Sequence, residues 1–247
     1  VRGATVKEED IIERVFITSN MNTLLFFTNK GKIHWLKAFK VPEASRYAKG
    51  TNLVNLLRLN SQEKVSTVLP IKDLEHDAYL LFATKNGVVK KTHLCEFSNP
   101  RQGGIAALTL KSEDEVVQVT LSDGNMQFLL ATRNGRAVNF HEQDVRTMGR
   151  TATGVRGVRL REDSVVGMEE AYDEHDLLTV TENGFGKRTV ISEYRLIARG
   201  GKGVRNIKVT EKNGKVIGVK AVQSGDEILC ITDKGQVIRM GVNGISQ

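Results

Sequence analysis

A four-residue turn, Thr-x-x-Gly, recurs five times in this 247-residue chain, at residues 28–31, 84–87, 132–135, 181–184 and 232–235. Successive threonines stand 56, 48, 49 and 51 residues apart. An apolar run precedes each turn (LLFF, YLLFA, QFLLA, DLLTV, EILCI), and KIHWL, VVKKT, RAVNF, FGKRT and QVIRM follow. Three of the turns contain Asn-Gly, the strongest short-range hairpin signal, because glycine takes a positive φ without steric cost. Each repeat is therefore expected to be a hairpin.

A second pattern runs out of phase with the first. Glycines 50, 104, 154 and 203 follow the preceding turn glycine by 19, 17, 19 and 19 residues, and each opens a short alternating segment (50–53, 104–107, 154–157, 203–206). Val1-Arg2-Gly3 reads like Val155-Arg156-Gly157. A further strand-like run follows at 14–17, 64–69, 115–119, 164–168 and 215–219. Each module thus offers about four strands and no helix, the signature of blades arranged in a ring. The chain begins inside one module and stops just after another's hairpin. Either these halves pair and close a five-module ring, or the chain is a fragment of a larger one.

Composition narrows the function classes. Hydrophobic residues make up 40% and charged residues 26%, and the longest apolar runs are strand-length, so neither a disordered chain nor helical membrane spans are expected. No signal-peptide pattern is read at the start of the sequence, and its two cysteines, Cys95 and Cys230, are far apart, so a cytosolic setting without disulfides is expected. The net charge is only +7, but its placement is uneven. Segments 37–58, 90–111, 146–161 and 195–208 hold 19 of the 36 basic residues and only two acids, Glu43 and Glu96. These segments share one phase of the repeat, so a ring would gather them into one basic band. Such a band suits a polyanion that follows its curve, duplex DNA above all. Aromatic residues in the band are few, which argues against a single-strand stacking platform. No groove-reading helix is expected, so base-specific readout is not.

No catalytic constellation emerges. The five histidines (His34, His76, His93, His141, His175) never fall at metal-ligand spacing. His93 and Cys95 would share a strand face, without an orienting third group. Arg199-Gly200-Gly201-Lys202-Gly203 is glycine-rich but lacks the strand-to-helix setting of a P-loop.

The stretch ENGFGKRTVISEYRLIARGGKGVRNIKVTEKNG (182–214) resembles the C-terminal domain of the gyrase A protein of DNA gyrase, as do VPEASRYAKGTNLVNLL (41–57), ATKNGVVKKTHLCEF (83–97) and VRTMGRTATGVRGVRL (145–160). The topoisomerase IV counterpart is the close paralogue. The resemblance spans essentially the whole chain, 1–247, as a single domain. It implies an all-β fold, a β-pinwheel of usually six blades with strands exchanged between neighbours, of which five modules are visible. Residues 198–203 look like the family's box, but their surroundings resemble its fifth blade. The resemblance thus places the true box before Val1, with part of the first blade and the end of the last lacking.

As function, the resemblance implies binding and bending of duplex DNA around a basic rim in support of negative supercoiling. It also implies two protein partners in an A2B2 holoenzyme, the gyrase A cleavage core and gyrase B. ATP and Mg2+ would be used elsewhere in that enzyme, with no cofactor in this domain. The isolated domain is expected to be monomeric, without membrane contact, in the cytoplasm on the bacterial chromosome. The residues expected to meet phosphates are Lys37, Arg46, Lys49, Lys90, Lys91, Arg101, Arg146, Arg150, Arg156, Lys187, Arg188, Arg199, Lys202, Arg205 and Arg239. Each is expected to position DNA by charge, without reading bases. A protein-interaction propeller is the rival reading, although its Gly-His and Trp-Asp signatures are absent.

Overall fold

The computed structural model of the chain describes residues 16–45, 48, 50–232 and 236–247. The expected strands at Val1-Arg2-Gly3 and at Arg14, and the fifth turn's Gly235, lie outside the described residues. Any pairing that would close a ring through them lies there too.

The Thr-x-x-Gly motif is one repeated piece of chemistry. In the first four turns the glycine N–H donates to the threonine carbonyl at 3.0 Å, and the glycine φ lies between +75° and +79°. The threonine hydroxyl accepts from the N–H four residues on: Lys32 at 3.3 Å, Val88, Arg136 and Gln236 at 3.1 Å. Thr181 differs, donating its hydroxyl to Phe185 O at 3.1 Å. A short side chain that both packs and accepts is needed at this buried position, and threonine supplies it.

These turns join five antiparallel hairpins: β1 (Thr23–Thr28) with β2 (Lys32–Lys37), β4 (Tyr79–Thr84) with β5 (Val88–His93), β8 (Gln127–Thr132) with β9 (Arg136–His141), β12 (Asp176–Thr181) with β13 (Gly186–Val190), and β16 (Glu227–Ile231) with β17 (Val237–Gly241). A third strand adds beside the first of each of the leading four: β3 (Val65–Ile71), β7 (Val116–Ser122), β11 (Val165–Glu170) and β15 (Val216–Val222).

The fourth strand comes from the next module. β6 (Ile105–Ala106) pairs with β2, β10 (Val155–Arg156) with β5, and β14 (Val204–Arg205) with β9. Three four-stranded sheets result, followed by a three-stranded and a two-stranded sheet among the described residues. This exchange between neighbours makes the architecture a β-pinwheel. Two successive N–H groups of each exchanged segment close on the hairpin glycine carbonyl. Gly31 O accepts from Ala107 and Leu108, Gly87 O from Gly157 and Val158, and Gly135 O from Asn206 and Ile207, all at 2.8–3.2 Å.

The grip can be measured by comparing two glycines of equal φ, +78°. A Cβ at Gly135 would lie 2.3 Å from Ile207 O, whereas one at Gly184 would meet nothing within 4 Å. Gly135→Ala is therefore expected to destabilise by about 1–3 kcal/mol more than Gly184→Ala. Equal losses in urea titrations would show that the exchanged segment adds nothing there.

Segment 50–53 departs from expectation. Gly50 has the left-handed φ of its counterparts (+70°), but Leu53–Leu57 then form a short helix, α1, capped by Asn52 Oδ1 on Val54 N at 3.1 Å. Its Leu53, Leu56 and Leu57 cover Leu24 and Phe26 of β1. The tertiary apolar contact overrides the alternating pattern.

The core lies between blades. Leu25, Phe27 and Ile33 pack against Leu80, Phe82 and Phe97 of the next module, with the Phe27 and Phe82 rings edge to face at 5.6 Å. The apolar runs of β1, β4 and β8 are buried on both faces, which explains why they are continuously apolar. β3, β7, β11 and β15 pack beside one another in succession. Side chains bridge these inner strands: Thr67 Oγ1 accepts from Val119 N (3.1 Å), Gln118 Oε1 from Met168 N (3.0 Å) and Glu169 Oε2 from Ala221 N (3.3 Å). Each of the three four-stranded sheets thus turns its third strand to the centre and its exchanged strand to the rim.

Candidate nucleic-acid interface

At the position four residues past each of the first four hairpin glycines, a side-chain N–H reaches a backbone carbonyl of the next module. Trp35 Nε1 donates to Phe97 O (3.1 Å), Lys91 Nζ to Glu142 O (3.2 Å), Asn139 Nδ2 to Tyr194 O (2.9 Å) and Arg188 Nε to Ile245 O (3.0 Å). Four unlike side chains make one junction.

This corrects two of the expected phosphate contacts. Lys91 is buried, 3.7 Å from the Glu142 carboxylate, and Arg188 is held by Asp176 at 2.7 Å. A third correction is Lys90, which is fully buried and donates to Ala107 O (2.7 Å) and Arg150 O. Burial, with Arg150 adding to it against Glu96, lowers its pKa to about 8. The Lys90 and Lys91 ammonium groups are thus buried and spent on protein acceptors, and the half-buried Arg188 guanidinium is engaged by Asp176 and Ile245 O.

Other expected residues sit variously. Lys37 is exposed but donates to Thr23 Oγ1 at 2.9 Å, and Arg239 forms an ion pair with Glu227 of its own hairpin. Lys187 and Arg150 are half-buried. Arg199, also half-buried, donates to Asp144 O (2.7 Å) and Arg156 O (3.2 Å), tying its loop to the preceding module. Arg46 and Lys49 lie outside the described residues. Arg101, Arg146, Arg156, Lys202 and Arg205 are exposed and, among the described residues, in no ion pair.

The loops that carry them are joined edge to edge. Thr109 Oγ1 donates to Thr151 O (2.7 Å), Gly200 N to Gly157 O (2.6 Å) and Arg159 N to Gly201 O (2.8 Å). Three basic segments therefore form one continuous surface along the rim. Two acids are engaged near the inner strands: Glu63 with Lys32 (2.7 Å) and Glu169 with Lys220 (2.8 Å).

A cleft of about 470 Å³ on this surface, not expected from the sequence, gathers Arg136, Arg159, Arg161 and Lys202 with one acid, Asp163. Arg136 Nε and Nη2 donate to Lys202 O (2.9 Å) and Gly203 O (3.0 Å), which fixes the guanidinium in place. Its position directly after the turn glycine was available as a signal, since the exchanged strand covers that site.

The His93 and Cys95 pair is also placed differently. Cys95 lies in a 3-10 turn (Leu94–Phe97), not on the strand, and its backbone N–H donates to His93 Nδ1 at 3.3 Å. Asp77 holds the other ring nitrogen at 3.0 Å, so the imidazole faces a carboxylate and an amide rather than the thiol. Among the described residues no group of three metal-ligating side chains occurs, and no helix is long and apolar enough to cross a membrane.

Comparison with known proteins gives a consistent picture. The family model described as "DNA gyrase C-terminal domain, beta-propeller" matches residues 22–72, 78–123, 127–169, 175–223 and 226–247. The chain is 44% identical over 245 residues to the gyrase A protein of DNA gyrase from Salmonella typhimurium, covering 99% of the chain and 28% of that relative. A solved gyrase A C-terminal domain matches with TM-score 0.82 and 26% identity, over 100% of the chain and 84% of its own length. A topoisomerase IV C-terminal domain also gives TM-score 0.82, with 30% identity over 91% of the chain and 71% of its own length.

Proposed function

Because the chain belongs to the DNA gyrase C-terminal domain family, we propose that it binds duplex DNA without sequence preference and bends it around its basic rim. It would do so as part of a gyrase A protein, supporting ATP-dependent negative supercoiling by an A2B2 holoenzyme with the cleavage core and gyrase B. ATP and Mg2+ would act elsewhere in that enzyme. The observation that carries this reading is the continuous rim of unpaired cations across three hydrogen-bonded loops.

The physics of wrapping fits such a rim. Bending 20–30 bp of duplex costs about 1–6 kcal/mol, which a succession of phosphate contacts offsets. Glycines such as Gly103, whose Cβ position is open, let backbone amides approach phosphates. Neutralising about 6–10 phosphates makes affinity fall about a thousandfold or more between 50 and 200 mM salt. A gel-shift titration of linear duplex at several salt concentrations tests this directly. A salt-insensitive or absent shift supports the protein-interaction scaffold instead.

The likeness to a topoisomerase IV domain favours a second reading within the same surface chemistry. The two share DNA binding and differ in whether the parent enzyme introduces negative supercoils into relaxed plasmid.

A further inference from the structure

A lysine that is 0% exposed is rare, and Lys90 has no ion-pair partner among the described residues, unlike its neighbour Lys91. Its two acceptors belong to different basic segments. Ala107 follows the loop of Arg101 and strand β6, whereas Arg150 lies on the loop that leads from Arg146 to β10. Directly above it, the segment at Gly154 approaches so closely that a Cβ there would lie 3.2 Å from Lys90 Cβ. The equivalent position three residues past the turn glycine holds His34 in the first blade, Val138 in the third and Lys187 in the fourth; Lys187 is only half-buried, so among the described residues the fully buried ammonium is particular to this junction.

We propose that Lys90 is a positioning residue for the rim: its ammonium fastens the Arg101 segment to the Arg146 and Arg150 segment, so that they meet DNA as one unit. This rests on the duplex-DNA reading above.

The proposal has a proton signature. The charged groups facing Lys90 are Arg150 from the loop and Glu96 from the 3-10 turn; from β4 it meets the Phe82 ring, 5.5 Å from Nζ. Burial chiefly, then Arg150, lowers its pKa from 10.5 to about 8. Phosphates arriving beside Arg150 favour the charged form, so DNA binding draws a proton onto Lys90. Affinity is then full below pH 8 and falls as pH rises through about 8. Stability against unfolding moves the other way. From about pH 8 to 10.5 the unfolded chain binds more protons at this site than the folded chain, so deprotonation does not weaken the fold.

The test is calorimetric titration of the purified chain with a linear duplex at pH 7 and pH 9, at constant ionic strength, in buffers of different ionisation heat. The wild-type affinity is expected to fall about tenfold for each pKa unit by which binding raises Lys90. Net proton uptake should appear near pH 8.5, roughly between the folded and DNA-bound pKa values. Lys90→Arg, charged throughout, is expected to keep its affinity across the range without proton uptake. Lys90→Gln should bind weakly at both pH values. A wild-type affinity that is constant with no proton uptake, or the same pH response in Lys90→Arg, overturns the proposal; the wild-type measurement needs no variant to fold. Salt-dependent binding that ignores Lys90 removes this inference alone, whereas no salt-dependent binding removes the DNA reading and the inference with it.

Discussion

Glu142→Ala is expected to lower the stability of the chain by about 3–5 kcal/mol, which in a protein of this size moves Tm by roughly 10 °C. Glu142 is 0% exposed and opens the 3-10 turn of the third blade (Glu142–Asp144). Its Oε1 accepts from Met126 N at 2.6 Å and from the Ser122 hydroxyl, and the Lys91 ammonium of the second blade lies 3.7 Å from Oε2. Removing the carboxylate strands a buried ammonium, an amide and a hydroxyl at once. The ammonium dominates, because an unpaired buried charge loses far more than a neutral donor does. Lys91 cannot swing to solvent easily, since its Nζ also donates to Glu142 O and rests 5.2 Å over the Tyr79 ring. The double variant Lys91→Met with Glu142→Leu should recover most of the loss. Urea unfolding followed by circular dichroism checks both. A single-variant loss below about 1 kcal/mol, the scale of an exposed ion pair, would show that the pair is not a junction element.

The largest effect on binding is expected from reversing Arg156 and Arg205 to glutamate together. They occupy the same place in successive exchanged strands, β10 and β14, and both side chains are exposed. Two charge-assisted phosphate contacts are worth about 3 kcal/mol or more, roughly a hundredfold in Kd. The logarithmic salt slope should fall by about 2, and the loss should be uniform across duplex sequences. Stability should change by less than about 0.5 kcal/mol, because neither side chain makes an ion pair or is buried. Binding that survives unchanged, or a loss confined to one sequence, removes this pair from the DNA path.

Much of the fold was legible because the repeat is made of local chemistry. Threonine and glycine in a turn have few interchangeable substitutes, and all four hairpins whose turns lie wholly within the described residues form at the expected places. Three of the four in-phase basic segments carry an exchanged strand and are hydrogen-bonded loop to loop, whereas the first, 37–58, holds α1 instead. What was not legible is direction. Lys90 and Lys91 are adjacent on a strand and must point to opposite faces, and each face of β5 is covered by another segment. Sequence shows that a residue is charged but not what lies above it. The junction donors were hidden for a related reason: Trp35, Lys91, Asn139 and Arg188 share a position and a task but no side-chain chemistry. At α1, an alternating pattern similar to its counterparts formed a helix, because Leu53 and Leu56 found apolar cover on β1.

Those unlike donors also bear on folding fidelity. Near-identical hairpins in one chain can dock out of order, and misassembly between repeats is the characteristic failure of such proteins. The turns that receive each hairpin open with Leu94, Glu142, Ile191 and Val242. Only one of them offers Lys91 a carboxylate; docked on either later turn, its ammonium would be buried against isoleucine or valine. Arg188 carries its own counter-ion, Asp176, and so tolerates the Val242 turn. The junctions work as keyed connectors, with a shared backbone plug and a different pin in each, and the wrong order is rejected by an unpaired charge.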